Sequence, residues 1–296
     1  MNLLDCLIGA SISLYRVSPL YPSWGPRLAR VLARRRHSSV GAPAPVVLRK
    51  VQGFEMALDL GEVIDSQLYY TGTFEAPTLE VIRKLVRAGD TAVDVGANIG
   101  WITLNLARQV GPTGRVLAFE PSERAFHRLA EHVSRNQLAH VETFPLAIGD
   151  ETSPPTRTSL QSSYRIDGLV ALQEEMVSTV RLDDFVSTAS LRHLDFIKVD
   201  TDGMEPFVFR GARAALERFH PILVFEFGPA QLAQVSEKPE DLLDYLEGLG
   251  YGIYHERGLR PATDVRRRLR SWNTSATVNL VGIPAARSPT GPYGVV

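Results

Sequence analysis

The segment from Val93 to Gly100 constrains the fold of this chain more than any other. It reads V-D-V-G-A-N-I-G, so an apolar strand ends at Val95, a glycine-spaced turn follows, and Trp101 to Gln109 continue at helical period. A strand that turns sharply into a helix is typical of an open parallel sheet, in which ligands bind at the carboxyl ends of the strands. We therefore expect an α/β fold with its ligand site at this turn.

Apolar runs of strand length alternate with amphipathic stretches of helix length along the chain, which predicts a doubly wound, Rossmann-like sheet covered by helices. The predicted strands are Thr91–Val95, Arg115–Phe119, Val141–Phe144, Asp195–Val199, Ile222–Phe227, Gly252–His255 and Thr277–Gly282. The stretch from Gly149 to Thr179 is rich in Ser, Thr, Pro and Gln, and it predicts a loop or lid rather than a sheet.

Residues 1–45 are predicted to form an amphipathic helical extension and a linker, ahead of one domain over residues 46–296. Leu3 to Val17 is too short an apolar stretch to span a membrane, and no basic residue precedes it as in a secretory signal. The extension then carries five arginines on an Ala/Leu/Val framework: Arg27, Arg30, Arg34, Arg35 and Arg36. We interpret them as the solvated face of a packed helix, with peripheral contact to an anionic membrane as the alternative.

The charge balance and the cysteine count exclude several classes of function. Lys and Arg total 32 against 33 for Asp and Glu, so the net charge of -1 provides no general field for nucleic acid, and we expect no nucleic-acid partner. The single cysteine, Cys6, excludes an intramolecular disulfide and a zinc site of several thiolates. It indicates a reducing compartment, so we expect a cytoplasmic protein, with contact at the inner membrane face as the alternative.

Two acidic residues near the glycine turn indicate the kind of ligand. Glu120 lies 120 − 100 = 20 residues beyond Gly100, where a carboxylate can accept the hydroxyl groups of a ribose. Asp94 is poorly placed beside phosphates and well placed beside the cationic amino group of S-adenosylmethionine. The G-A-N-x-G pattern also lacks the glycine spacing of a dinucleotide loop. For the glycines alone, an ordinary turn beside a surface carboxylate remains the alternative.

These motifs continue downstream in a specific order: Asp94 to Gly100, Ala118 to Pro121, Leu182-Asp183, Ile197 to Glu205, and Gly211-Ala212. In this the chain resembles the FkbM-type methyltransferases, within the class I methyltransferases that depend on S-adenosylmethionine. Tyr70 to Glu75 is similar to the family's Y-x-x-G-x-(Y/F)-E segment, and Pro221 to Glu226 is similar to its P-x-(I/L)-x-x-E strand. Met204 departs from the usual aromatic residue, and Asp202 departs from the commoner Glu or Gln.

The resemblance implies a class I fold of seven strands, the last one antiparallel, with S-adenosylmethionine as cofactor. It also implies O-methylation of a hydroxyl on a sugar, polyketide or glycolipid-like acceptor. Carried over by position, Glu120 faces the ribose and Asp150 reaches the adenine. The full set of implied cofactor-binding residues is Glu75, Asp94, Gly96, Ala97, Asn98, Gly100, Glu120, Pro121 and Asp150.

A methyl acceptor of the hydroxyl type needs a group that takes its proton, and a carboxylate at the end of a strand can do so. Asp200, which follows the apolar run from Phe196 to Val199, is the candidate base. Asp202, Glu205 and Glu226 are further candidates, and which of them is the base stays open. Capping of the following helix is the alternative for Asp202, and a structural ion pair is the alternative for Glu226.

No metal is expected, because Asp200 and Asp202 would point to opposite faces of a continued strand and the seven histidines show no zinc spacing. His127 and His132 are predicted to lie on a helix surface. Arg266-Arg267-Arg268 and Arg270 form a basic cluster that we interpret as solvated, with an anionic acceptor as the alternative.

Three other functions stay open at this point: N- or C-methylation at the same cofactor site, a nicotinamide oxidoreductase, and a non-catalytic partner- or membrane-binding protein that keeps the fold. The identity of the small-molecule, glycan or glycolipid acceptor and the oligomeric state leave no signal in the sequence.

Overall fold

The computed structural model describes residues 45–165, 170–269 and 276–287. In chain order its strands are β1 (Val46–Val51), β2 (Phe54–Asp59), β3 (Thr91–Val95), β4 (Arg115–Phe119), β5 (Val141–Phe144), β6 (Ala147–Gly149), β7 (Ser153–Tyr164), β8 (Val170–Arg181), β9 (Phe196–Val199), β10 (Ile222–Phe227), β11 (Tyr251–His255) and β12 (Val278–Pro284). Its α-helices are α1 (Val63–Thr71), α2 (Ala76–Leu85), α3 (Trp101–Val110), α4 (Glu123–Arg135), α5 (Leu182–Thr188), α6 (Glu205–Gly211), α7 (Arg213–Phe219), α8 (Pro229–Gln234), α9 (Pro239–Gly248) and α10 (Thr263–Leu269).

The chain forms two compact units. Of the described residues, the first unit holds 45–76, 134–136, 159–165 and 170–174, and the second holds the rest. The predicted helical extension over residues 1–45, with its arginines and Cys6, lies almost wholly outside the described residues, as does Arg270. The predicted division at residue 45 therefore stays a prediction.

The first unit contains a hairpin that the sequence analysis missed. Strands β1 and β2 pair antiparallel through a two-residue turn in which Gln52 and Gly53 both have positive φ, 50° and 93°. The sequence does contain a strand pattern here, because apolar residues recur at every second position as Phe54, Met56 and Leu58. All three are buried in the structure. Helix α1 follows the hairpin and ends at the left-handed Gly72.

The second unit is built on a seven-stranded sheet of order β11-β12-β10-β9-β3-β4-β5. Strands β3, β4, β5, β9 and β10 pair in parallel, whereas β12 runs antiparallel between β10 and β11. All seven predicted strands form this sheet, and their observed ends differ from the predicted ones by at most two residues. The class I fold with an antiparallel last strand is confirmed.

The two faces of this sheet differ in chemistry. One face carries the main apolar core, in which Val93, Leu117, Ile197 and Phe225 are at most 1% exposed. Side chains alternate between the faces along each strand, so Asp94 and Lys198 lie on the opposite face, where both are 1% exposed. Asp94 and Lys198 are therefore buried polar groups close to the carboxyl ends of β3 and β9.

The prediction of a loop between Gly149 and Thr179 is wrong. The 12-residue strands β7 and β8 occupy most of this stretch and join the short β6 in a sheet of order β6-β8-β7. Most described side chains of β7 are exposed, so no apolar alternation marks the strand. Pro154 and Pro155 are tolerated because β7 is an edge strand of this sheet.

Helix α6 and strand β6 make a close backbone contact within the second unit. A Cβ atom on Gly211 would lie 1.8 Å from the carbonyl oxygen of Gly149, so the contact requires glycine. Gly248 also ends a helix, α9, and a Cβ atom there would meet nothing within 4 Å.

We expect Gly211→Ala to lower the free energy of unfolding by about 2 to 3 kcal/mol, because the added methyl group overlaps backbone. Gly248→Ala is the matched control, and it should raise stability by up to about 1 kcal/mol through helix propensity. Urea denaturation of both variants measures the difference. Equal stability of the two would contradict the close approach of α6 to β6.

Candidate active site

The loop after β3 turns the chain sharply at the centre of the sheet. Gly96, Asn98 and Gly100 all have positive φ, at 78°, 49° and 88°. The carbonyl oxygen of Phe119 accepts hydrogen bonds from the amides of Gly96 and Ala97, each at 3.0 Å. A Cβ atom on Gly96 would lie 1.9 Å from the carbonyl oxygen of Asp200. The loop after β3 and the loop after β9 therefore meet backbone to backbone.

Glu120 is fixed between two turns at the end of β4. Its Oε2 atom accepts the amide hydrogen of Asn98 at 2.8 Å, and its Oε1 atom accepts that of Ser122 at 2.9 Å. Pro121 lies between Glu120 and Ser122 in the chain. The side chain is 7% exposed, and burial raises the pKa of Glu120 to about 7. Each carboxylate oxygen retains capacity for a further donor.

Asp94 is a second buried carboxyl group at this edge of the sheet. It accepts a 2.6 Å hydrogen bond from the Thr103 hydroxyl on α3. Burial raises the pKa of Asp94 to about 6, while Thr103 and the nearby Lys198 oppose the increase. Sequence reasoning placed Asp94 at the loop but did not find Thr103, which occupies the first turn of the helix that follows.

Glu175 of strand β8 is a contributor that the sequence analysis missed. Its carboxylate accepts hydrogen bonds from the Ser122 hydroxyl at 3.2 Å and from the amide of Glu123 at 2.6 Å. An acidic side chain at these positions satisfies the otherwise unpaired amides at the start of α4. No local pattern could identify it, because Glu175 comes from a distant strand that was read as a loop.

Asp200 directly follows β9 and is partly exposed. Lys198, two residues earlier, donates a 2.8 Å hydrogen bond from Nζ to Asp200 Oδ2 and forms an ion pair with it. The Lys198 side chain is 1% exposed, whereas that of Asp200 is 31% exposed. A charged residue within an otherwise apolar strand was the sequence signal for Lys198, which the analysis did not use.

Glu205 anchors the loop that follows Asp200. Its Oε1 atom accepts hydrogen bonds from the Thr201 amide at 2.9 Å and hydroxyl at 3.0 Å, and it lies 3.4 Å from the Gly203 amide. The residue is 1% exposed, and burial raises its pKa. This geometry holds the loop in shape, and the assignment of Glu205 as a base stays a prediction.

Asp202 and Glu226 are joined by an amide side chain that the sequence analysis did not single out. Gln231 Nε2 donates to Asp202 Oδ1 at 3.1 Å and to Glu226 Oε2 at 3.2 Å. Met204, and not Asp202, is the N-cap residue of α6, so the capping alternative for Asp202 is wrong. The described neighbours of Glu226 include Gln231 and the Thr277 hydroxyl, and no ion pair of Glu226 is present among the described residues.

The carboxyl groups at this end of the sheet raise one another's proton affinity. The pKa of Glu226 is raised to about 8, chiefly by burial and then by the charge of Asp200, with smaller contributions from Asp202 and Glu205. Burial and the neighbouring charges thus favour the protonated form of Glu226. Such perturbed groups are typical of functional sites.

The remaining candidate residues lie elsewhere or are not placed by the structure. Asp150 pairs with Arg210 of α6 at 3.2 Å, and its contact with an adenine stays a prediction. Glu75 belongs to the first unit, so its role at the loop also stays a prediction. His132 was expected on a surface, but it is buried and its Nδ1 atom lies 2.7 Å from the Ile99 carbonyl oxygen.

Two features are absent from the described residues. They contain no group of three or more His, Cys, Asp or Glu side chains arranged to hold a metal ion. None of their helices has the length and apolar character needed to cross a membrane.

The loops after β3, β4 and β9 thus bring the buried carboxyl groups of Asp94 and Glu120 to the same edge of the sheet as the carboxyl cluster of Asp200, Asp202 and Glu226. Asp94 and Glu120 suit a ligand that offers hydroxyl donors and a positive charge. They oppose a pyrophosphate, because like charges in a buried site repel. The geometry therefore favours a cationic nucleoside ligand over a dinucleotide.

The raised pKa of Glu226 predicts a specific dependence of stability on pH. Between about 4.5 and 8 the folded chain keeps this proton while the unfolded chain releases it, so stability is full below that range and decreases as the pH rises through it. We expect Glu226→Gln to reduce the slope of unfolding free energy against pH by up to about 1.4 kcal/mol per unit in this window. Chemical denaturation at several pH values measures it.

Glu80→Gln provides the control for that experiment, because Glu80 is exposed and pairs with Lys84. Its slope above pH 5 should match that of the wild type. An unchanged slope in Glu226→Gln would show that Glu226 is ionised throughout this range.

Comparisons with known proteins agree with this geometry. A model of the FkbM methyltransferase domain matches residues 94–253, more than half of the chain. The 2-O-methyltransferase NoeI of Sinorhizobium fredii is 24% identical over 204 residues, which cover 61% of this chain and 80% of that protein. The hexuronic acid methyltransferase AglP of Haloferax volcanii is 28% identical over 151 residues, which cover 49% of this chain and 60% of that protein.

Among solved structures, an FkbM methyltransferase from Methylobacillus flagellatus aligns with a TM-score of 0.41 at 17% identity. The alignment covers 90% of this chain and 62% of that one. The family match begins at Asp94, so the Tyr70 to Glu75 segment lies outside it.

Proposed function

We propose, given that this chain belongs to the FkbM methyltransferase family, that it transfers a methyl group from S-adenosylmethionine to a hydroxyl oxygen of a sugar-type acceptor. Family membership makes the chain a methyltransferase. The hydroxyl as acceptor atom, the sugar class and the residue roles are the proposal. One observation supports it most directly. The glycine loop after β3, with its carboxyl groups, lies next to the carboxylate cluster that begins after the adjacent strand β9.

The residues at the loop fit S-adenosylmethionine. Glu120 is held by two backbone amides with acceptor capacity to spare, which suits the two hydroxyls of a ribose. Asp94 is a buried carboxyl group whose ionised form is stabilised by a cationic ligand. Asp94 argues against the nicotinamide oxidoreductase alternative, because its cofactor would bring a pyrophosphate to this loop.

When bound, S-adenosylmethionine would supply a methyl group that its sulfonium already activates, with S-adenosylhomocysteine as the leaving group. What the chain has to add is alignment of the acceptor and a place for the hydroxyl proton. Asp200 is the partly exposed carboxylate of the cluster, and Lys198 fixes its orientation. We assign it as the base that takes the proton as the carbon–oxygen bond forms.

Asp202 and Glu226 have a different place in this scheme. Gln231 donates hydrogen bonds to both of them. The pKa of Glu226 is raised, and the charge of Asp202 is one of the causes. We assign them to hydrogen bonding with further hydroxyls of the acceptor, while Glu205 holds the loop. Carboxylate and amide side chains in one cluster suit a ligand with several neighbouring hydroxyl groups.

The charge of this cluster narrows the acceptor further. Asp200, Asp202 and Glu226 lie together, and the described ion pair of the cluster is that of Lys198 with Asp200. An acceptor with its own carboxylate here would be repelled by the charges of Asp200 and Asp202, which already raise the pKa of Glu226. The proposal is therefore a neutral sugar hydroxyl rather than a uronic acid of the kind in the name of the hexuronic acid methyltransferase AglP.

The cofactor assignment is tested by calorimetric titration with S-adenosylhomocysteine, with NAD as the comparison ligand. We expect binding of the first ligand alone. Glu120→Ala should weaken that binding by about 10- to 100-fold, because it removes hydrogen bonds to a charged acceptor. Glu123→Ala, which changes an exposed residue three positions later, is the control and should bind as the wild type does. Binding of NAD alone would overturn the assignment.

The acceptor assignment is tested with a matched pair of sugars, methyl glucoside and methyl glucuronide, and a labelled methyl donor. They differ in charge at one carbon, so the repulsion predicts at least about a tenfold preference for the neutral sugar. Asp200→Asn should lower transfer by about 100-fold or more while S-adenosylhomocysteine binding is retained. Asp241→Asn on the exposed start of α9 should leave both unchanged. Faster transfer to the glucuronide would contradict the charge argument.

A further inference from the structure

Lys198 is a buried cation in the middle of the sheet, and the proposed chemistry above uses only its link to Asp200. It lies on β9 between Ile197 and Val199, both of which are at most 1% exposed. Its own exposure is 1%, yet it carries an ammonium group that forms a 2.8 Å ion pair. Burying a lysine is costly, and an apolar residue at such a position is often as stable or more so.

The sheet register places Lys198 directly beside Asp94. The two residues are Cα partners on the adjacent parallel strands β9 and β3, so their side chains leave the same face of the sheet. Lys198 thus lies between the carboxyl group of the cofactor strand and the carboxylate at the end of its own strand. Removal of this cation would change the electrostatics of both.

We propose that Lys198 is a positioning residue that joins the two halves of the site, because its ammonium group lies beside Asp94 at the cofactor loop and pairs with Asp200 at the acceptor side. For Asp200 this inference rests on the proposed function, since it concerns the assigned base. For Asp94 it depends only on binding of the cofactor and needs no acceptor.

The other titratable groups that face Lys198 and Asp94 from the surrounding elements are all carboxyl groups. They are Glu120 after β4, Asp202 and Glu205 in the loop and helix after β9, Glu226 on β10, and Glu256 after β11. Burial raises the pKa of Glu256, and the charge of Lys198 opposes that increase. Every one of these neighbours disfavours a further negative charge, so Lys198 opposes the combined effect of burial and like charge.

The sign of the effect follows from Asp94. Burial raises its pKa to about 6, and the charge of Lys198 acts in the opposite direction. Without that charge, Asp94 takes up its proton at a higher pH. A protonated Asp94 no longer stabilises a cationic ligand, so cofactor affinity should begin to fall at a higher pH when Lys198 is replaced.

The test is the affinity for S-adenosylhomocysteine, measured by calorimetry from about pH 5 to pH 9, on the wild type, Lys198→Met and the control Lys84→Met. Lys84 is half exposed and pairs with Glu80. In Lys198→Met we expect the pH at which affinity has fallen tenfold to rise by about one unit or more, with affinity near pH 9 within about threefold of the wild type. Lys84→Met should follow the wild-type curve.

A purely structural role of Lys198 gives a different curve, in which affinity falls by the same factor at every pH. That result would overturn the inference. The same displacement should be absent when Lys198→Met is made in an Asp94→Asn background, because the titrating group is gone. Persistence of the displacement there would assign it to another group and would also overturn the inference.

Lys198→Gln is the second variant, since it keeps a polar side chain and loses only the charge. Asp94→Asn alone gives a test that needs no change at Lys198. It should remove the part of the fall in affinity near pH 6 that belongs to Asp94 and leave the part near pH 7 that belongs to Glu120. A curve of unchanged shape would contradict the inference. A wild type that binds no S-adenosylhomocysteine at any pH would overturn the proposed function. Binding with an unmoved curve in both lysine variants would overturn only the role of Lys198.

Discussion

The site depends on one contact between two stretches of backbone. Gly96 in the loop after β3 lies so close to the carbonyl of Asp200 after β9 that no side chain fits between them. The parallel pairing of β3 with β9 brings these loops together. This contact fixes the distance between the cofactor loop and the proposed base, and any larger residue at position 96 would separate them.

The raised pKa values of the carboxyl groups in the site follow from the same packing. Once the loops are in contact, Asp94, Glu120, Glu205 and Glu226 are removed from water, and burial raises the pKa of each. The described part of the chain places Lys198 among them as a buried cation. A site with this excess of acid groups is matched to a positively charged donor and an uncharged acceptor, which is the combination that the proposed reaction requires.

The sequence predicted the main sheet well because its strands are buried on both faces. Continuous apolar runs such as Ile222 to Phe225 leave little ambiguity, and the glycine loop indicated where α3 begins. It failed for β7 and β8, whose exposed strands lack such runs. The missed strands also hid one site residue, because Glu175 on β8 contacts the loop after β4. A contact between residues about fifty positions apart leaves no local pattern in the sequence.

The candidate residues divide along a similar line. Asp94, Glu120 and Asp200 stand in motifs with fixed spacing, so they could be found from the sequence. Gln231 and Thr103 were missed because an amide or hydroxyl on a helix has many ordinary uses, and only the folded chain shows that they contact carboxyl groups. The roles of Asp202 and Glu205 depended on the φ angles and hydrogen bonds of one short loop, which spacing alone does not determine.

The way in which Glu120 is held has a consequence for the rate and selectivity of ligand capture. Its two oxygens are already fixed by the amides of Asn98 and Ser122, so the side chain has no rotamer freedom left to lose when a ribose arrives. The ordering cost, about 1 kcal/mol or more for a free glutamate, is met during folding instead. A rigid acceptor cannot adjust to a sugar that lacks one hydroxyl, so the loop should discriminate sharply against deoxyribose analogues of the cofactor.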